Sequence, residues 1–261
     1  MNKKFLKGKH TSVGSPSEQD VHAFDLWFKT ENINVEFEER LFGSEPVNEK
    51  AVGFFVDANI LVRCKSDLAY RQLIKSSTFN FVDGRFVALL VSWFARRTVK
   101  AFPGPAFFAS FGLAPRRHLV VGGAVENFET VAEIIKRKNT NIEAFEFLEL
   151  PFCALEEFDF DGIVRDINRI APDIVWVSLG APKQEEFISR IFPQVQKGYF
   201  FAVGAALGFF SGKLTSTDKF GRLPVVWILR LTKEPRKQFN RCIHIVLNIL
   251  PLIVQAWRQK H

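Results

Sequence analysis

Short apolar runs alternate with helix-period segments along the chain to about residue 212. The runs at 53–56, 79–82, 118–121, 144–148, 173–179 and 199–203 are rich in Val, Leu, Ile and Phe and bounded by turn residues, which predicts buried strands. The segments at 59–76, 84–97, 127–138 and 157–170 repeat apolar positions three and four apart, which predicts helices. Strands separated by helical sequence in this way build βαβ units, so the expected fold is α/β with a mostly parallel sheet flanked by helices. Ligands bind such sheets at the carboxyl ends of the strands. That edge gathers Asp57 and Asn59, Asp83 and Gly84, Gly122 and Gly123, Gly180 through Glu185, and Gly204 onward.

After Gly212 the pattern changes. The segment LPVVWILRLTKEPRKQFNRCIHIVLNILPLIVQAWRQKH has a helical period, basic at first and then strongly apolar. Its apolar part, 242–257, is interrupted by His244, Asn248 and Pro251 and is short for a membrane span. A basic stretch leading into an apolar helix that ends in Trp257, Arg258 and Lys260 fits a helix lying in a membrane interface. A helix packed on the core, or on a second subunit in a homo-oligomer, is the alternative. The expected organisation is a flexible tail over 1–20, an α/β domain over 21–214 and a helical, membrane-associating appendage over 215–261.

Charge sharpens that division. The net charge is +7, and residues 215–261 carry nine Lys/Arg against two acidic residues, so the first 214 residues balance to zero. Cations set beside aliphatic residues fit a membrane or a phosphate better than nucleic acid, for which no recognition motif is present. Hydrophobic residues make up 47% of the 261, as in a folded globular protein. The 29 Phe against 2 Tyr and 1 Met read as a compositional habit. Three scattered cysteines imply free thiols in a reducing cytoplasm, and the basic N-terminus has no apolar core of a secretory signal.

Four stretches carry candidate chemistry. In FNFVDGRF a strand delivers Asp83 to its end, where it is either a functional carboxylate or an N-cap for the next helix. In LVVGGAVENFET a glycine pair joins strand to helix, so that Gly122 and Gly123 could turn backbone N–H groups toward a phosphate; it is not the G-x-G-x-x-G of a dinucleotide site. The Asp159–Asp161 pair has the D-x-D form of metal-dependent sugar transferases, but it follows a charged stretch, and acids in a first helical turn explain it. In VWVSLGAPKQEEFISR the triplet Lys183, Gln184 and Glu185 fills a tight strand-to-helix junction, where it either meets a ligand or forms an ordinary first turn. No two of the five histidines stand at ligand spacing and no G-x-S-x-G is present, which disfavours metalloenzyme and hydrolase readings.

The combination of SLGAPKQEEFI, a strand ending in Asp-Gly, and a terminal W-x-x-R-L-x-x-E-P-R-x-x-x-x-R resembles the WecG/TagA/CpsF family of bacterial glycosyltransferases, over about residues 45 to 245. The stretch ANILVRCKSDLAYRQLIKSSTFNFVDGRFVAL looks like the family's Asn-to-Asp-Gly segment. The resemblance implies a Rossmann-like fold with a membrane-meeting C-terminal appendage. It implies transfer of a sugar from a UDP-sugar to a sugar carried by a polyprenyl diphosphate, with inversion and with neither metal nor cofactor. In the family the Asp of Asp-Gly is the proposed general base, which is Asp83 here. Asn59 and Gln184 would line the donor pocket, and Arg230, Arg236 and Arg241 would hold diphosphate. The setting implied is peripheral, on the cytoplasmic face of the inner membrane, in surface-polysaccharide synthesis.

The chain departs from the family pattern at several positions. Asp57 stands where Thr is usual, Ala101 for Arg, Ala106 for Asp, Gly208 for Asp, and Val226 for Glu, while TSTDKF replaces an Arg-Ala-Pro region. Asp57 beside Asp83 raises the pKa of one carboxyl, because like charges disfavour joint ionisation. These changes suit a divergent enzyme, and equally a catalytically inactive relative that binds lipid-linked glycans during assembly. A nicotinamide-dependent oxidoreductase on a similar sheet is a further alternative, disfavoured by the missing glycine fingerprint.

Overall fold

A computed structural model of the chain describes residues 20–213, apart from 31–32, 44 and 139–140, together with Pro251. Residues 1–19 of the expected 1–20 tail, and the appendage apart from Pro251, with its Val226, Arg230, Arg236 and Arg241, lie outside the described residues.

All six expected strands form. The hairpin β1 (Val21–Ala23) and β2 (Leu26–Phe28) precedes α1 (Ile33–Phe42). Then come β3 (Lys50–Val56), α2 (Ala58–Ser66), α3 (Leu68–Lys75), β4 (Phe79–Val82), α4 (Arg85–Ala95), α5 (Gly104–Phe111), β5 (Arg117–Val121) and α6 (Val125–Lys138). The chain continues through β6 (Ala144–Leu148), α7 (Phe160–Ile170), β7 (Ile174–Val177), α8 (Lys183–Ile191), β8 (Gly198–Ala202) and α9 (Ala206–Phe210). Strands β3 to β8 form one parallel sheet in the order β4-β3-β8-β7-β5-β6.

Alternation along the strands divides the core. Val52, Phe54 and Val56 of β3 pack with Val175 and Val177 of β7 under α2, α3, α4, α7 and α8. Ala51 and Phe55 pack with Trp176 and Phe201 on the other face, under α1, α5, α6 and α9. That second layer is largely phenylalanine: Phe37 meets the rings of Phe79, Phe81, Phe107, Phe111 and Phe201. Gly53 makes room for it, since a Cβ there would come within 2.6 Å of the Phe201 ring.

The faces also fix the site. The connections leaving β5 and β8 go to the phenylalanine face, while those leaving β3 and β7 go to the other. Neighbouring strands β5 and β7, and β7 and β8, therefore send their chains apart, the arrangement at which open α/β sheets bind ligands at the carboxyl ends of their strands.

Two expectations on helices change. The segment 59–76 is two helices rather than one, because Asp67 ends α2 and its carboxylate accepts from the Tyr70 N–H to start α3. The segment 157–170 is α-helical only from Phe160, after a 3-10 turn over Leu155–Glu157, with Asp159 as its cap, accepting from the Gly162 N–H at 2.9 Å. The hairpin turn went unread because Phe24 and Asp25 adopt positive φ (57° and 63°) in place of the glycine that usually marks it.

Candidate active site

Strands β3 and β4 pair in register with Val56 beside Val82, so Asp57 and Asp83 leave the sheet side by side. The Asp83 N–H donates to the Val56 carbonyl at 3.1 Å, which holds the two chain ends together. The two carboxylates have different fates. Asp57 is the N-cap of α2: Oδ1 accepts from the N–H groups of Asn59 and Ile60, both at 2.9 Å, and Oδ2 from the Asn59 amide at 2.6 Å. Asp83 caps nothing, because the N-cap of α4 is Gly84 at φ 82°, without a side-chain bond. Burial, and then the Asp57 charge, push the Asp83 carboxyl up to about 7.

The junction between β7 and α8 is tied from within. Gln184 is buried; its Oε1 accepts from the Gly180 N–H at 3.1 Å, and its amide donates to Glu185 (2.9 Å) and to the Ala202 carbonyl (3.0 Å). Its side chain therefore fastens the turn to β8. Glu185 is fully buried and also accepts from the Tyr70 hydroxyl of α3 at 3.2 Å. Burial raises its carboxyl to about 7 against the hydrogen bonds that lower it, and the Asp57 charge adds to the rise. Lys183 turns to the loop after β6, where Nζ donates to the Cys153 carbonyl at 2.6 Å and lies 4.6 Å from the Phe158 ring centre.

The glycine turns close on the same edge. Gly122 and Gly123 adopt φ of 70° and 86°, and Cβ atoms there would meet Leu179 at 2.6 Å and Ser178 at 2.8 Å. The Ser178 hydroxyl donates to the Gly204 carbonyl at 2.6 Å, which ties β7 to β8. The structure thus brings together Gly122, Gly123, Gly180, Gln184 and Glu185 in one set of contacts, and Asp57, Asn59, Asp83 and Gly84 in a second. The charge of Asp57, which acts on both Asp83 and Glu185, connects the two sets.

Two parts were not read from sequence. The segment before α5 crosses this edge: the Phe102 N–H donates to the Val82 carbonyl at 2.8 Å, and a Cβ on Gly104 would meet the Val203 carbonyl at 3.2 Å. The divergent Ala101 belongs to it and the divergent Ala106 to the first turn of α5, while the divergent Gly208 is buried in α9. Tyr70 is the other, and composition held its signal. In a chain with 29 Phe and 2 Tyr, both tyrosines use their hydroxyls on a glutamate, Tyr70 on Glu185 and Tyr199 on Glu49.

Comparison with known proteins matches residues 30–261 to the model of the "Glycosyl transferase WecG/TagA/CpsF family". Among curated relatives is the N-acetylglucosaminyldiphosphoundecaprenol N-acetyl-beta-D-mannosaminyltransferase of Staphylococcus aureus, 26% identical over 184 residues, covering 68% of this chain and 70% of the relative. The protein with the same name from Bacillus spizizenii is 25% identical over 200 residues, covering 70% and 72%.

Proposed function

The chain belongs to the WecG/TagA/CpsF family of glycosyl transferases, and on that premise we propose that it moves a sugar from a UDP-sugar to a sugar carried by a polyprenyl diphosphate, with Asp83 as general base. Asp83 carries the reading. It stands at the carboxyl edge beside Asp57 and takes no part in capping, and burial pushes its carboxyl up to about 7. A base poised near the working pH balances readiness to accept a proton against being ionised.

In this reading ionised Asp83 takes the proton of the acceptor hydroxyl as its oxygen attacks the anomeric carbon. UDP departs from the opposite face, so the configuration inverts. The leaving diphosphate needs donors. The Gly122 and Gly180 N–H groups are bonded to the Leu148 carbonyl and to Gln184, so the turn is suited to supply the Gly123 N–H, with Lys183 nearby if it exchanges the Cys153 carbonyl for phosphate. Arg230, Arg236 and Arg241 would add bidentate contacts, for which guanidinium is suited. Gln184 and Glu185 act by holding the junction in shape, and Asp57 with Asn59 holds the start of α2 and tunes Asp83. The relatives' printed name supports a polyprenyl-diphosphate acceptor; in this reading the work is done at the cytoplasmic face of the membrane, with the chain peripheral to it.

The test is UDP release by purified full-length protein, with a panel of UDP-sugars and a polyprenyl-diphosphate-linked N-acetylglucosamine. Release that needs the acceptor and collapses in Asp83→Asn is the expected result. Donor binding without release on any donor would instead assign the chain to non-catalytic glycan binding.

A further inference from the structure

Helix α4 leaves the sheet two residues after Asp83, and its composition is unusual for a helix at a surface. Of its eleven residues, RFVALLVSWFA, only Arg85 and Ser92 are polar, and the Ser92 hydroxyl is turned back onto the Ala88 carbonyl at 2.6 Å. Val87, Val91 and Phe94 face the core. Phe86, Leu89 and Trp93 do not: they are 45%, 68% and 51% exposed. At about 100° per residue, positions 86, 89 and 93 fall within an arc of about 60°, a single stripe along the outer face. A water-facing helix carries polar residues there, and a helix apolar all round belongs in a core or in lipid.

Charge distinguishes among the occupants. Residues 85–100 contain four cations, Arg85, Arg96, Arg97 and Lys100, and no acidic residue. Arg85 lies at one end of the stripe, and the other three lie at or just beyond the other end. A second copy of this chain would set like charges against one another at that face. A bilayer surface with anionic headgroups takes the apolar stripe and the cations together. Eleven residues rise about 16 Å, which suits a helix lying in the interface and not one crossing it.

We infer that α4 is a membrane-contact helix that seats Phe86, Leu89 and Trp93 among acyl chains and sets Asp83 at the level of the lipid headgroups. This rests on the proposed use of a lipid-carried acceptor only for its purpose. The contact itself is independent of catalysis and of the appendage expected over 215–261.

The test uses the full chain and vesicles of phosphatidylglycerol with phosphatidylcholine, or phosphatidylcholine alone. Trp93→Phe keeps the stripe and removes one indole. Emission quenched by lipids brominated in their acyl chains should be stronger in wild type than in Trp93→Phe. In the pair Leu89→Glu with Trp93→Glu, vesicle partitioning should fall by about tenfold or more, with the circular dichroism spectrum unchanged. Arg96→Gln with Lys100→Gln should lower partitioning onto anionic vesicles by about fivefold or more, and leave phosphatidylcholine partitioning as it was. Equal quenching in wild type and Trp93→Phe, or unchanged partitioning of the Glu pair, overturns the inference. So does a dimer in light scattering that the Glu pair dissociates, which would give the stripe to a second copy. UDP release lost while vesicle contact persists would count against the transferase reading alone.

Discussion

The two edges of the same sheet treat their ionisable groups in opposite ways. At the amino edge each is committed. His118 is buried, its Nε2 donates to the Ala114 carbonyl at 2.8 Å, and its Nδ1 accepts from the Trp176 indole at 3.0 Å. Burial pushes its imidazole down to about 4, so it stays neutral. Asp173 accepts from Lys197 and from the Arg117 N–H, Arg116 closes the end of α1 on the carbonyls of Leu41, Arg40 and Gly43, and Lys50 holds three carbonyls after α8. At the carboxyl edge, Asp83 and Glu185 are held near 7 by burial, close to Asp57. Paired groups at one edge secure the strands; raised carboxyls at the other cost stability and are suited to chemistry.

The largest expected effect falls where that comparison is broken at the working edge. Asp83→Asn should lower the rate of transfer by about 10²- to 10⁴-fold, the range of a lost general base, with folding retained. Steady-state UDP release alongside thermal melts checks both halves. Next comes the core partner of the amino-edge His118: Trp176→Ala should cost about 3–5 kcal/mol in denaturant unfolding, from the lost volume and the unpaired Nδ1 of His118.

Gln184→Ala should cost about 2–3 kcal/mol, because the Ala202 carbonyl, the Gly180 N–H and Glu185 each lose a partner. It should also raise KM for the donor through the loosened junction. Gln184→Glu, which keeps the acceptor for Gly180 but sets a carboxylate against Glu185, should not rescue either.

The smallest effect is the sign of the pH response. Asp83 and Glu185 bind protons more tightly folded than unfolded, so they subtract stability as pH rises from about 4 to about 7. His118 binds its proton less tightly folded, so stability falls as pH drops below about 6.5. Asp83→Asn should therefore be more stable than wild type above pH 7, by about 1–2 kcal/mol after allowance for its partial exposure, and should lose that advantage near pH 4. Chemical unfolding at both pH values measures the difference.

Much of this was legible in the residues. Five of the six strands declare themselves because both of their faces are buried, which forces apolar runs such as IVWV at Ile174–Val177, while β6 is half-buried throughout and is read from the apolar residues of AFEFL. The carboxyl edge followed from strand ends, and Asp57 beside Asp83 raised the expectation of a shifted carboxyl. What was hidden depends on contacts far apart in sequence. The two uses of Gln184, a fastener to β8 or a ligand contact, look identical in PKQE, and only the approach of Ala202 distinguishes them. The break at Asp67 was hidden because apolar spacing continues through a residue that caps in both directions.

The most direct test of Asp83 as the base is the pH dependence of kcat/KM for transfer, in wild type, Asp57→Asn and Glu185→Gln. Asn still caps a helix, so Asp57→Asn removes the charge and keeps α2. The wild-type rate should climb with pH through a limb near 7. In Asp57→Asn that limb should move to lower pH while staying above the ordinary aspartate range, since burial is the larger cause of the shift. Glu185→Gln should leave the limb in place. A limb that ignores Asp57→Asn, or vanishes in Glu185→Gln, would contradict the assignment of Asp83.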